Sequence, residues 1–186
     1  VLNYKFEGIA TNTGRTAPYY NATEQSVDYV VSQDGLGDAA QFKSTLDDDE
    51  DTAWIRIDTI KTLLQSMDAL ILGVWFKQET ITNDGVLFDF LASANGSGGG
   101  LRIGNGADSE TLEACFASSS DELSCGDIDL GAGYDGTQWH HLTVHLPQSN
   151  GNVEIKIDGV TQLILSNTNS ASILNGNMAD SMTWGF

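Results

Sequence analysis

Short apolar or alternating runs recur along the whole chain, each closed by Gly, Asn, Asp or Ser, and that rhythm excludes most folds. A helical protein needs apolar residues at three- and four-residue spacing, whereas here a period of two dominates. The runs predict strands over residues 2–6, 26–31, 39–42, 53–57, 69–77, 85–91, 101–104, 112–117, 140–146, 153–157, 162–166 and 182–186. About a dozen short strands with polar turns imply an all-β protein, a two-sheet antiparallel β-sandwich. One segment departs from the pattern. Ile60, Leu63, Leu64 and Met67 recur at helical spacing, which predicts one short helix between Thr59 and Asp68. No repeat or linker divides the chain, and Asn95-Gly96-Ser97-Gly98-Gly99-Gly100 reads as a loop between two strands. Residues 1–186 therefore read as a single domain, long enough to bury a substantial core. Its abrupt, strand-like opening Val1-Leu2-Asn3-Tyr4-Lys5-Phe6 is what a domain excised from a larger protein would show.

Two runs carry more detail. Leu70-Ile71-Leu72-Gly73-Val74-Trp75-Phe76 is apolar at every position, which predicts a central strand covered on both sides, with Trp75 in the core. Trp184, inside the last apolar run, reads the same way. Val86-Leu87-Phe88-Asp89-Phe90-Leu91 resembles the first run except at Asp89, whose carboxylate needs a hydrogen-bonding partner if it is buried. The two cysteines, Cys115 and Cys125, flank Ser118-Ser119-Ser120-Asp121, a turn sequence. A hairpin centred there sets them opposite each other and predicts a disulfide, hence an oxidising compartment.

Charge narrows the partners. Eight Lys and Arg against 26 Asp and Glu give a net charge of -18. Such a surface repels phosphate backbones and anionic lipids, so nucleic acid is excluded as an expected partner. No apolar run is long enough to span a bilayer as a helix, so no membrane insertion is expected. Calcium, neutral glycans and basic partners remain compatible, as does plain solubility.

Five segments in order resemble a known family. Leu2-Asn3-Tyr4-Lys5-Phe6-Glu7-Gly8 is similar to the first strand of laminin-G-like modules of the concanavalin A-like lectin-glucanase superfamily. Gly35-Leu36-Gly37-Asp38-Ala39-Ala40-Gln41-Phe42 resembles their second element, and Leu72-Gly73-Val74-Trp75-Phe76-Lys77 their Trp-bearing strand. Trp139-His140-His141-Leu142-Thr143-Val144 and Asn152-Val153-Glu154-Ile155-Lys156-Ile157-Asp158-Gly159-Val160 resemble two later markers. The resemblance implies a jelly-roll sandwich with Asp158-Gly159 closing a hairpin. It also implies an extracellular or cell-surface recognition or adhesion module that binds glycan or protein surfaces, beside other domains of the same polypeptide, with structural calcium as its cofactor. Two features depart from the family. Ala10-Thr11-Asn12-Thr13-Gly14 lacks the Asp that helps relatives bind calcium, and the usual closing-strand signature is missing after Trp184-Gly185-Phe186.

Candidate sites follow from residue chemistry. The loop Asp47-Asp48-Asp49-Glu50-Asp51 concentrates carboxylates, and Asp47, Asp48, Asp49 and Asp51 are the candidate calcium ligands; a solvated acidic loop is the alternative. Tyr19, Tyr20, Tyr29, Trp54 and Trp139 lie in or near loops, and Tyr19, Tyr20 and Trp54 are the candidate ligand-binding residues, as platforms for sugar rings. His140 and His141 point to opposite faces of a strand, and His141 and His145 lie about 13 Å apart, so the histidines make no metal site by themselves. Sequons occur at Asn21-Ala22-Thr23 and Asn95-Gly96-Ser97. A glycoside hydrolase or polysaccharide lyase of this fold would need paired carboxylates on one face. The nearest run, Glu154-Ile155-Lys156-Ile157-Asp158, has Lys at its centre, and no catalytic residue is assigned. A ligand-free spacer is the third reading.

Overall fold

A computed structural model describes residues 4–6, 10–12, 22–31, 38–42, 53–67, 69–77, 85–91, 100–106, 111–117, 123–131, 137–147, 151–167, 174 and 179–185. In chain order the strands are β1 (Tyr4–Phe6), β2 (Ala10–Asn12), β3 (Ala22–Gln25), β4 (Val27–Val31), β5 (Asp38–Phe42) and β6 (Trp54–Ile57). A short helix, α1 (Lys61–Gln65), follows. Then come β7 (Ala69–Phe76), β8 (Val86–Asp89), β9 (Gly100–Asn105), β10 (Thr111–Ala117), β11 (Leu123–Asp129), β12 (His140–Pro147), β13 (Gly151–Ile157), β14 (Val160–Asn167) and β15 (Met182–Gly185). The all-β class is as the period-two pattern requires, and the one helix among the described residues falls where Ile60, Leu63, Leu64 and Met67 placed it, between Thr59 and Asp68, with Leu64 buried.

The chain forms two compact units, Val1–Ile60 with Ser181–Phe186, and Lys61–Asp180. In the first, β1 and β2 pair as an antiparallel hairpin, β4 pairs with β5, and β6 lies between β3 and β15. Ile55 and Ile57 of β6 are fully buried while Trp54 and Arg56 alternate with them.

Within the second unit, four strands of one antiparallel sheet run in the order β11-β10-β9-β8 and face a four-stranded antiparallel sheet ordered β14-β13-β12-β7 in a sandwich. Alternation explains which face packs. Leu142, Val144 and Leu146 of β12 and Val153, Ile155 and Ile157 of β13 point inward, against Leu101, Ile103, Leu112, Phe116 and Ile128 of the other sheet. Where β11 crosses β14 the sheets come close. A Cβ on Gly126 would stand 3.0 Å from methyls of both Leu163 and Leu165, so only glycine fits without displacing them.

Asp89 has the partner its burial demands. Its Oδ1 accepts a hydrogen bond from the Leu91 amide at 2.7 Å, and Arg102 stands opposite it in register. Burial still pushes its carboxyl above the usual carboxylate range, against the pull of that amide and of Arg102. Cys115 and Cys125 pair directly across β10 and β11 and are joined in a disulfide. No helix among the described residues is long and apolar enough to cross a membrane.

Candidate functional site

The outer face of the β14-β13-β12-β7 sheet gathers the unusual side chains. Because Leu70, Leu72, Val74 and Phe76 of β7 turn inward, the alternate positions Ile71, Gly73 and Trp75 turn outward. Ile71 is 70% and Trp75 50% exposed. The sequence expectation of a strand covered on both sides, with Trp75 in the core, is therefore corrected. Half of that apolar run is surface, and its apolar outer residues hid the alternation.

Register builds rows across this face. Ile71 faces His145, which faces Glu154, which faces Ile164. The next row runs Gly73, Thr143, Lys156 and Thr161, and beyond it Trp75 pairs with His141. The Trp75 and His141 rings lie 4.9 Å apart between centroids, tilted by 38°. The Thr143 hydroxyl sits 3.5 Å from Nδ1 of His141. Beside them an open depression of about 280 Å³ is lined by Ile71, Thr143, His145, Glu154 and Lys156.

Charge within the depression closes on itself. The Thr161 hydroxyl donates to Glu154 Oε1 at 2.9 Å, and Lys156 Nζ lies 3.2 Å from the same oxygen. The hydroxyl first, then the ammonium, holds the Glu154 carboxyl below the usual carboxylate range. One end of the face is fixed by the β13–β14 turn. Asp158 and Gly159 both take positive φ, 51° and 81°, the pattern of a type I′ hairpin that Asp-Gly favours. Asp158 Oδ1 accepts from the His141 amide at 2.8 Å, and its Oδ2 lies 2.8 Å from His140 Nδ1.

Partial burial raises the Asp158 carboxyl, but the His141 amide and the His140 ring outweigh it and leave it below its usual range. A carboxyl depressed in the folded state stabilises above its unfolded-state pKa, and that contribution is lost as pH falls through the folded-state value. Asp158 is 48% exposed, so solvent screening limits the effect to about 0.3–1 kcal/mol. Melts between about pH 6 and pH 2 are expected to fall less steeply for Asp158→Asn than for the parent chain. Identical slopes would remove Asp158 from the acid response.

The other sequence candidates lie elsewhere. Tyr19, Tyr20, Asp47, Asp48, Asp49 and Asp51 fall outside the described residues. Trp54, on β6 of the first unit, is half-buried and carries the Arg56 guanidinium 4.7 Å over its ring, which occupies one face of the platform. Arg56 is held in turn by Asp58 at 2.8 Å. The Tyr29 hydroxyl donates to Glu24. Trp139 is half-buried just before β12, and Trp184, read as core, is half-buried in β15. His140 and His141 do face opposite ways, His140 towards Phe76 and His141 towards Trp75. Among the described residues the one group with metal-ligating spacing is Glu113, Cys115 and Cys125, and its sulfurs are consumed by the disulfide.

Sequence reasoning missed Trp75, Gly73 and the row beside them. Two signals were present: a glycine in mid-strand, and the polar alternation His141, Thr143, His145 and Glu154, Lys156 on the neighbouring strands.

Comparison with solved structures places this architecture. The binding domain of Paraclostridial Mosquitocidal Protein 1 superposes with a TM-score of 0.72 at 11% identity, over 100% of this chain and 44% of that one. The fold is shared with binding domains. The binding domain of Botulinum Neurotoxin DC, solved in complex with SialylT, gives 0.66 at 14% identity over 100% of this chain and 42% of that one. Domain 4 of AbnA, a GH43 extracellular arabinanase from Geobacillus stearothermophilus solved in complex with arabinotriose, gives 0.64 at 16% over 98% and 81%. The chain thus spans less than half the length of the toxin binding domains it matches. No family model and no curated protein matches the sequence.

Proposed function

We propose that this chain is a non-catalytic glycan-recognition module of an extracellular or cell-surface protein, and that it grips its ligand on the outer face of β7, β12 and β13. The observation that carries this reading is Trp75, half exposed in a row of polar side chains. A large ring in that position loses stabilisation to water until something flat and partly apolar covers it. Histidine, threonine, lysine and glutamate around it offer both donors and acceptors, the mixture that sugar hydroxyls require. Two structural neighbours were solved with the ligands SialylT and arabinotriose, which supports a sugar over a protein partner. On the same reading the sandwich groups with the laminin-G-like jelly rolls that its five strand motifs resemble. Glu154 and Asp158, the acids a hydrolase would use, are engaged with Thr161 and Lys156 and with the two histidines. That engagement favours binding over catalysis.

Screening the chain and Trp75→Ala against an array of oligosaccharides tests this. At least one glycan is expected to bind, with affinity at least tenfold weaker in the variant, as for a tryptophan anchor. An unchanged affinity in Trp75→Ala, or no glycan bound at all, overturns it.

A further inference from the structure

Gly73 stands at the centre of the exposed face, between Ile71 and Trp75 along β7 and opposite Thr143 on β12. Glycine in a strand interior weakens the strand and often marks a place where a ligand or another backbone approaches closely. At Gly73 the fold makes no such demand. A Cβ built there meets only the His141 ring, with Nε2 at 3.4 Å and Cε1 at 3.9 Å, which is ordinary contact. Its backbone does not take the positive φ that would call for glycine. The contrast with Gly126, pressed against two leucines, is plain. Gly73 is exposed, and the His141 ring covers one side of the space over it. That space is bounded by Trp75 about 7 Å along the strand and by Thr143 about 5 Å across it.

The charge around that space restricts what can enter. Lys156 is committed to Glu154, which also takes the Thr161 hydroxyl, so the face holds an internally neutralised pair where a polyanion would need an uncompensated cation. The chain carries a net charge of -18, which repels sulfated or polysialylated ligands at a distance.

Building on the glycan-recognition reading, we propose that Gly73 determines specificity on this face: its bare backbone seats an uncharged sugar ring, with a C–H face against Trp75 and hydroxyls directed to Thr143, His141 and the Lys156–Glu154 pair. A side chain at position 73 would stand where that ring lies.

The test uses Gly73→Ala and Gly73→Val beside the parent chain and Trp75→Ala. Binding is measured by affinity electrophoresis and calorimetry on neutral polysaccharides (arabinan, galactan, xylan and β-glucan) and on sialylated and sulfated glycans. Each is run at about 50 mM and about 300 mM NaCl, a range over which screening weakens charge-driven binding. The parent chain is expected to bind a neutral polysaccharide with less than about twofold change between the salts. Gly73→Val, whose β-branched side chain suits a strand, is expected to melt no lower than the parent and to bind at least about tenfold more weakly. Gly73→Ala is expected to fall between them, and it carries the test by itself if the valine variant does not fold. Undiminished binding in a folded Gly73 variant overturns the proposal. Binding confined to sialylated or sulfated glycans, and lost in salt, overturns the neutral class while leaving glycan recognition standing. Failure of every glycan to bind the parent chain defeats both.

Discussion

Leu142→Ala is expected to lower the unfolding free energy by about 2–5 kcal/mol, the largest stability effect among the substitutions considered. Leu142 is fully buried in the middle of β12 and faces Val74 and Ile157 on the neighbouring strands. Truncating it removes buried methyls and leaves a cavity that the flanking strands cannot close, since both are held by cross-strand pairs on either side. Its neighbours His141 and Thr143 sit one residue away on the opposite face, and alanine at either is expected to cost well under half as much. Urea titrations of the three variants measure this: a large fall in midpoint with unchanged slope for Leu142→Ala, small falls for the others. A cost below about 1 kcal/mol at Leu142 would mean that the inner face of β12 is not packed as the sandwich requires.

That contrast separates stability from recognition within a single sheet. Period-two alternation gives β12 one face for the core and one for solvent, so the residues that hold the sheet together are not those that meet a ligand. Loss of binding in Trp75→Ala without loss of melting temperature, and loss of stability in Leu142→Ala without loss of binding below its melting point, are two readings of the same geometry.

Local signals carried most of the fold. The strands over β5, β9, β10, β12 and β13 were legible to within two residues because their inward positions are apolar and their ends are marked by turn residues. The Asp158-Gly159 hairpin and the Cys115–Cys125 pairing depend on short-range chemistry and were legible too. β2 and β3 were not. Ala22-Thr23-Glu24-Gln25 buries no residue fully, so it is a strand only because β6 supplies its hydrogen-bonding partner, which is a tertiary cause absent from the local pattern. β11 was implied by the cysteine hairpin alone, since Leu123-Ser124-Cys125-Gly126-Asp127-Ile128-Asp129 has a single large buried residue, Ile128. The site failed for the opposite reason. In β7 the solvent face is as apolar as the core face, so Ile71 and Trp75 could not be told from Leu72 and Val74 by hydrophobicity. An exposed tryptophan looks like a buried one in sequence, and only the polar alternation of β12 and β13 could have decided the face.

Reducing the Cys115–Cys125 disulfide, or replacing both residues by serine, is expected to destabilise the protein by about 2–3 kcal/mol and leave ligand binding intact. The bond closes a short loop, with ten residues of sequence separation, and the chain-entropy relation for a ring of about that size gives this magnitude. The effect should come almost wholly from the unfolded chain. Cys115 alternates with the inward Ala114 and Phe116, so the bridge lies on the outer face of β10 and β11, where Cys115 is buried and Cys125 exposed, and its loss leaves the inward Ala114 and Phe116 in place. The melting temperature should fall by about 4–12 °C. The outer face of β7, β12 and β13 belongs to the other sheet of the sandwich, so glycan affinity measured well below the melting point should be unchanged. Melts in the presence and absence of reductant, with free thiols titrated to establish complete reduction, measure the first effect, and calorimetry on the double-serine variant measures the second. An unshifted melt after full reduction would mean that the β10–β11 hairpin stays closed in the unfolded ensemble without the bond. Lost affinity in a folded double-serine variant would mean that the two sheets of this unit are coupled through their shared core, and that the recognition face depends on a constraint at the opposite side of the sandwich.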